Sequence, residues 1–141
     1  MRSFHDQNLT AVSLCGDALR IQIAGNDGMI TLLEIERLEK LRISDFEEGN
    51  VIANVRLFAD ENYSSCQKRV LACIRYVYKL DTEILNADAE EFVQKQCELV
   101  ARGKLVVMEV EPSYGCYLVA VGCNVNESTT VVQWAGDGAT S

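Results

Sequence analysis

Few residue types in this chain of 141 can do chemistry. Proton transfer at neutral pH is the usual work of histidine, and the only one is His5, beside Asp6 in "FHDQNL". Adjacent side chains on an extended chain point to opposite faces, so His5 and Asp6 are not expected to pair as base and orienter. A hydrogen-bonding place near the start of a sheet is the simpler reading of His5. A Cys–His arrangement stays formally open, since six thiols are present. Cys15, Cys66, Cys73, Cys97, Cys116 and Cys123 lie no closer than seven residues apart, which excludes C-x-x-C pairs and zinc-knuckle spacing. They read as reduced, buried small hydrophobes. No metal and no cofactor is expected. "GNDG" at 25–28 opens a hairpin, so it cannot cradle phosphate at a helix N-terminus. The serines of "SSC" and "PSYG" have no arguable histidine partner.

Carboxylates are the plentiful groups: 21 acids against 13 bases leave a net charge of −8. "LRISDFEEGNVI" at 41–52 sets Asp45, Glu47 and Glu48 between two apolar runs. From Asp81 to Glu98, six acids meet one base, Lys95, whereas the segment before carries Lys68, Arg69, Arg75 and Lys79 with no acid. Either these segments neutralise each other, or the acids form a surface that steers a basic protein. The candidate contact residues are Glu47, Glu48, Asp81, Glu83, Asp88, Glu90 and Glu91. So acidic a chain repels phosphate backbones, and nucleic acid is not an expected partner.

These groups need a scaffold. "ALRIQIA" alternates Leu19, Ile21 and Ile23 with polar residues, the period of a half-buried strand. Asp-Gly at 27–28 turns it into "MITLLEI", and "GD" at 16–17 joins it to "LTAVSLC", giving a three-stranded meander. "IERLEKLRISDF" reads as a short helical turn leading into a strand. In "NVIANVRLF", Val51, Ala53, Val55 and Leu57 share one face, and Ile52, Asn54, Arg56 and Phe58 the other.

The period then changes. Cys66, Val70, Cys73, Ile74 and Val77 form a helical stripe with Ser64 or Ser65 as N-cap, although "CIRYVY" is also strand-like. A second helix begins at Asn86 or Asp88 and ends at Gly103, with Ala89, Phe92, Val93, Gln96, Leu99 and Val100 facing inward. "KLVVMEVE" and "YGCYLVAVGCNV" make a hairpin about "PS", and "TTVVQW" adds an edge strand. The fold class expected is α+β: an antiparallel sheet with two helices packed on one face. Residues 1–135 form a single domain and 136–141 a flexible tail. The N-terminal stretch lacks the basic start and apolar core of a secretion signal, and no apolar run is long enough for a bilayer. A cytoplasmic protein without membrane contact is expected.

"FHDQNLTAVSL", "DGMITLLEI", "LRISDFEEGNVI" and "MEVEPSYGCYLVAVGC", in that order, resemble a family of small bacterial proteins. Its members share an N-terminal His-Asp, an L-R-x-x-D-F…G-N-V-I segment and a late E-P-S-x-G hairpin, and look like immunity proteins of polymorphic toxin systems. The matching motifs amount to about 30 residues, and 60–103 adds nothing. The resemblance implies a non-catalytic protein that binds and neutralises a cognate toxin, a basic one if the acidic surface is the contact. Two other readings compete. One is a small ligand-binding or self-assembling module, with the edge strand or Trp134 as the contact and a dimer as its sign. The other is an enzyme using a cysteine with His5.

Overall fold

The computed structural model describes residues 3–81, 84 and 86–131. Ten elements follow one another: β1 (Asn8–Cys15), β2 (Ala18–Ala24), β3 (Met29–Glu36), β4 (Lys40–Ser44), β5 (Asn50–Phe58), α1 (Asp60–Val77), α2 (Ala87–Ala101), β6 (Val106–Tyr114), β7 (Tyr117–Gly122) and β8 (Asn124–Val131). The class is α+β, with every strand pair antiparallel. The expected meander is present as β1–β2–β3. Gly16 adopts φ 64 at the first of two turn residues, as a type II′ hairpin requires. At the next turn Gly28 takes φ 79, while the Asp27 carboxylate accepts the Met29 amide at 3.0 Å.

The sheet order is β4-β7-β6-β5-β1-β2-β3-β8. Both ends of this order are continuous with strands inside it, because β3 runs on into β4 and β7 into β8. β4 pairs with β7 and β8 with β3, and the two ladders meet at one corner, where Glu39 donates to the Val121 carbonyl at 2.7 Å and Cys123 to that of Glu36 at 2.9 Å. The sheet therefore rolls up on itself. Gly122 sits at this corner, where a Cβ would lie 2.3 Å from Ile35 Cγ2 and 2.8 Å from the Glu36 carbonyl. Only a glycine lets the strands come this close.

Rolling encloses one core. Leu19, Ile21, Ile23, Leu33 and Ile35 from one half meet Met108, Val110, Leu118 and Ala120 from the other. The opposite face of β5, β6 and β7 presents Phe58, Val107, Val119 and Val121 to a second core, built with Val70, Cys73, Ile74 and Val77 of α1 and Val93, Cys97 and Val100 of α2. Both helices lie on this one side.

Several sequence expectations shift. Residues 37–39 are a corner and not a helical turn, with Arg37 at φ 51. α1 begins at Asp60, well before Ser64: Asn62 accepts the Ala59 amide at 2.9 Å and donates to the Leu57 carbonyl at 2.9 Å, closing the helix start. The Ser64–Ser65 signal marks a kink, because Ser65 Oγ donates back to the Asn62 carbonyl at 3.0 Å and Cys66 leaves helical geometry. A bulge near Ala53 reverses the alternation in β5, so Ile52 joins Val55 and Leu57 in the rolled core. In α2 the Asn86 cap is as expected, accepting from the Ala89 amide at 2.8 Å. Its buried stripe includes Cys97, while Phe92 stays 38% exposed with its edge on Tyr78. The β6–β7 turn falls at Gly115–Cys116, not at Pro112–Ser113, which lie within β6. β8 starts at Asn124 along β3; its expected continuation through Trp134, and the tail 136–141, lie outside the described residues.

Candidate functional site

Three motifs that are distant in sequence meet at the seam between β1 and β5, whose ladder has only two residue pairs. Asp6 takes φ 65, turning its amide onto the Ile52 carbonyl at 2.8 Å, and the Ile52 amide donates to Gln7 at 2.9 Å. Phe4 is buried beneath. Asn50, 3% exposed, ties the remaining parts together. Its Oδ1 accepts the amides of Glu47 at 2.8 Å and Cys116 at 3.0 Å, and its Nδ2 donates to the carbonyls of Glu47 at 2.7 Å and Leu9 at 3.4 Å. Gly115, at φ 89, passes so close that a Cβ would stand 2.5 Å from Asn50 Oδ1. "FHDQNL", "DFEEGNVI" and "EPSYGC" are thus three sides of one joint.

This geometry corrects the reading of the turn at 45–49. The residue in the left-handed region is Asp45, at φ 58, and not Gly49, around which a Cβ would find open space. Phe46 is not packed into the core: it is 49% exposed, and Tyr114 across the joint is 61% exposed. Glu47 and Glu48 are exposed beside them. Asn50 holds this turn by its backbone, which leaves the side chains of Phe46, Glu47 and Glu48 directed by structure and free of internal work.

The other sequence-predicted acids divide. Asp81 is occupied, pairing with Arg42 at 2.9 Å, and Arg42 also donates to the Tyr76 carbonyl. Glu83 lies outside the described residues. Asp88, Glu90 and Glu91 are exposed at the start of α2; Glu91 lies 3.7 Å from Lys95, and Glu90 borders a small cleft with Arg75. Among the described residues no ion pair joins a base of α1 to an acid of α2. Opposite charges of the two helices approach each other at the cleft that Arg75 shares with Glu90. The 45–49 turn and the α2 start belong to different elements, and no hydrogen bond or ion pair described links them.

One base of α1 is used elsewhere. On β6, Glu109 and Glu111 alternate onto the helix side, opposite Arg56 and Asn54 of β5. Glu109 is 2% exposed. Arg69 of α1 grips it with Nε at 2.9 Å and Nη2 at 3.2 Å, Arg56 adds a contact at 3.2 Å, and the Tyr117 hydroxyl donates at 2.6 Å. Glu111 takes Arg69 at 2.8 Å, Arg56 at 3.3 Å and Asn54 at 3.1 Å. Two carboxylates and two guanidinium groups balance within this network. Hydrogen bonds from Asn54 and Arg69 hold the Glu111 carboxyl below its usual range. Burial, then the hydrogen bond to Glu109, pushes the Tyr117 phenol well up. The sequence reading missed this network; its visible sign was the period-two spacing of Glu109 and Glu111 in an otherwise apolar strand.

Beside the network, α1 and β5 bound a cleft of about 610 Å³ lined by Arg56, Phe58, Ser64, Cys66, Lys68 and Arg69, among others. Comparison of the chain with family models, curated proteins and solved structures finds no match. Local chemistry alone must then speak for the site.

Three of the six thiols are buried. Burial pushes the thiol of Cys73 up to about 12 and that of Cys116 up to about 11, and also raises Cys97. All six cysteines are free, with Cys15 exposed. His5 Nδ1 does meet Asp6 Oδ2, at 3.0 Å, contrary to expectation, because the left-handed turn at Asp6 breaks the extended geometry. The pair is largely exposed, at 62% and 72%, where water screens it. Among the described residues no three His, Cys, Asp or Glu side chains gather as a metal ion would need, and no helix is long and apolar enough to cross a membrane.

Proposed function

We propose that this protein is a non-catalytic inhibitor of immunity type, which neutralises a cognate, basic toxin domain by covering it with an acidic surface. One observation carries the reading: exposed Phe46 and Tyr114 flank Glu47 and Glu48 on a turn whose backbone Asn50 locks. Aromatic side chains supply much of the binding energy at protein contacts, and carboxylates at the rim steer a basic partner. A turn already held in its bound shape loses little further freedom on binding. The exposed acids of α2, Asp88, Glu90 and Glu91, add a second acidic patch that would also attract a basic partner.

The test is capture of partners from the native host by the tagged full chain, followed by expression of the captured protein alone. The reading requires a stoichiometric basic partner that arrests growth by itself and is tolerated when this protein is co-expressed. Phe46→Ala with Glu47→Lys and Glu48→Lys should abolish that protection while leaving the fold intact. Glu90→Lys with Glu91→Lys should mainly slow association, and more so at low salt. Protection undiminished by both sets would refute the acidic-surface mechanism.

A further inference from the structure

We propose that the cleft at the kink of α1 is a binding site for a small ligand bearing a phosphate or carboxylate group. The cleft stands out against the charge of the molecule. In a chain of net charge −8, its lining includes Arg56, Lys68 and Arg69 and no acid. The acids behind it, Glu109 and Glu111, balance the two arginines, so Lys68 leaves the site with one positive charge uncompensated.

The arginines are prepared for such a ligand. Arg56 spends Nη1 and Nη2 on the two glutamates, and Arg69 spends Nε and Nη2. Arg56 Nε and Arg69 Nη1 take no acceptor among the described residues, and the two side chains remain 33% and 42% exposed. A guanidinium pinned on one edge and open on another offers planar donors at no ordering cost, the geometry that suits carboxylate and phosphate oxygens. The kink adds to this. Departure of Cys66 from helical geometry brings Ser64 and Ser65 to the lining beside Gln67 and Lys68, and Ser64 adds a further hydroxyl. A volume of about 610 Å³ falls in the range of small-molecule sites and admits an organic body as well as the anionic group. This site lies at the end of β5 opposite the 45–49 turn, so it stands or falls independently of toxin binding.

The experiment is an amide and arginine side-chain NMR titration of the ¹⁵N-labelled full chain. Inorganic phosphate and sodium malonate are the probes, with sodium chloride at matched ionic strength as reference. Saturable shifts confined to 64–69 and the Arg56 and Arg69 side chains are expected. Saturation by phosphate alone assigns the ligand as a phosphate, and by malonate alone as a carboxylate. Arg69→Gln should remove the response. Should that variant fail to fold, Lys68→Glu decides the matter, since exposed Lys68 takes no part in the Glu109 network; it should weaken binding about tenfold or more. Shifts that do not saturate, that match chloride, or that persist unchanged in Lys68→Glu overturn the proposal.

Discussion

Asn50→Ala tests whether the seam depends on one side chain. The substitution removes three good hydrogen bonds, at 2.7, 2.8 and 3.0 Å, and a marginal one at 3.4 Å. The groups left behind differ in consequence. The Glu47 amide and carbonyl sit on an exposed turn, where water can replace the lost partner, so each costs about 0.5 kcal/mol. The Cys116 amide belongs to a residue only 2% exposed and would be stranded, at a cost of about 2 kcal/mol. The sum, about 3 kcal/mol, would lower Tm by roughly 10 °C in a domain of this size. Urea unfolding followed by circular dichroism should show the midpoint fall with the slope unchanged. Glu48→Ala, at an exposed position beside the joint, should stay within about 0.5 kcal/mol of the parent. Asn50→Asp should also destabilise, since it places a carboxylate oxygen where Nδ2 faced the Glu47 carbonyl. A loss below about 1 kcal/mol for Asn50→Ala would refute the reasoning, because water would then have taken over the buried amide.

Glu109→Leu should destabilise by about 3 kcal/mol, since it leaves Arg56 and Arg69 without their buried counter-charge and Tyr117 without its acceptor; chemical denaturation of Glu109→Leu and of Glu109→Leu with Arg69→Met measures it, and the second change should recover part of the loss. The pH dependence follows from groups of opposite sign, with Glu111 on the acid side and Cys73 among those on the alkaline side. Glu111 has a folded-state pKa below its unfolded value, so its contribution is complete above the unfolded value of about 4.3 and is lost as pH falls through the lower folded one. Cys73 has its pKa raised, so its contribution is complete below the unfolded thiol value of about 8.5 and is lost as pH rises toward its folded value of about 12. Thermal melts across pH should decline on both flanks, and Cys73→Ala should lessen the alkaline decline, to which Cys97, Cys116 and Tyr117 also contribute. In the native state a thiol reagent should label Cys15 fast, and Cys73, Cys97 and Cys116 only at the rate of opening, as mass spectrometry of timed quenches would reveal.

What the sequence determined by itself is what neighbours along the chain decide. Alternation of Leu19, Ile21 and Ile23 against Arg20 and Gln22 needs only the period of a strand. The Gly16 and Gly28 turns need only local φ, and the Asn86 cap acts within four residues, so these were legible. The class followed, because strands, two helices and strands again can bury their apolar faces only as a sheet with helices on it. What escaped was set by contacts between distant residues. The bulge at Ala53 turns Ile52 to the other core, and no local pattern foretells a bulge chosen by pairing with β6. Ser64 and Ser65 have the chemistry of a helix cap, but Asn62 reached Ala59 and Leu57 first and left them to form a kink. Acidity suggested a contact surface drawn from the acids at 47–48 and 81–91. Tertiary structure withdrew Asp81, Glu109 and Glu111 into ion pairs, exposed Glu47 and Glu48, and gathered Arg56, Lys68 and Arg69 about one cleft. Charge is counted along a chain, but a field is felt across a surface, and only the fold says which charges face one another.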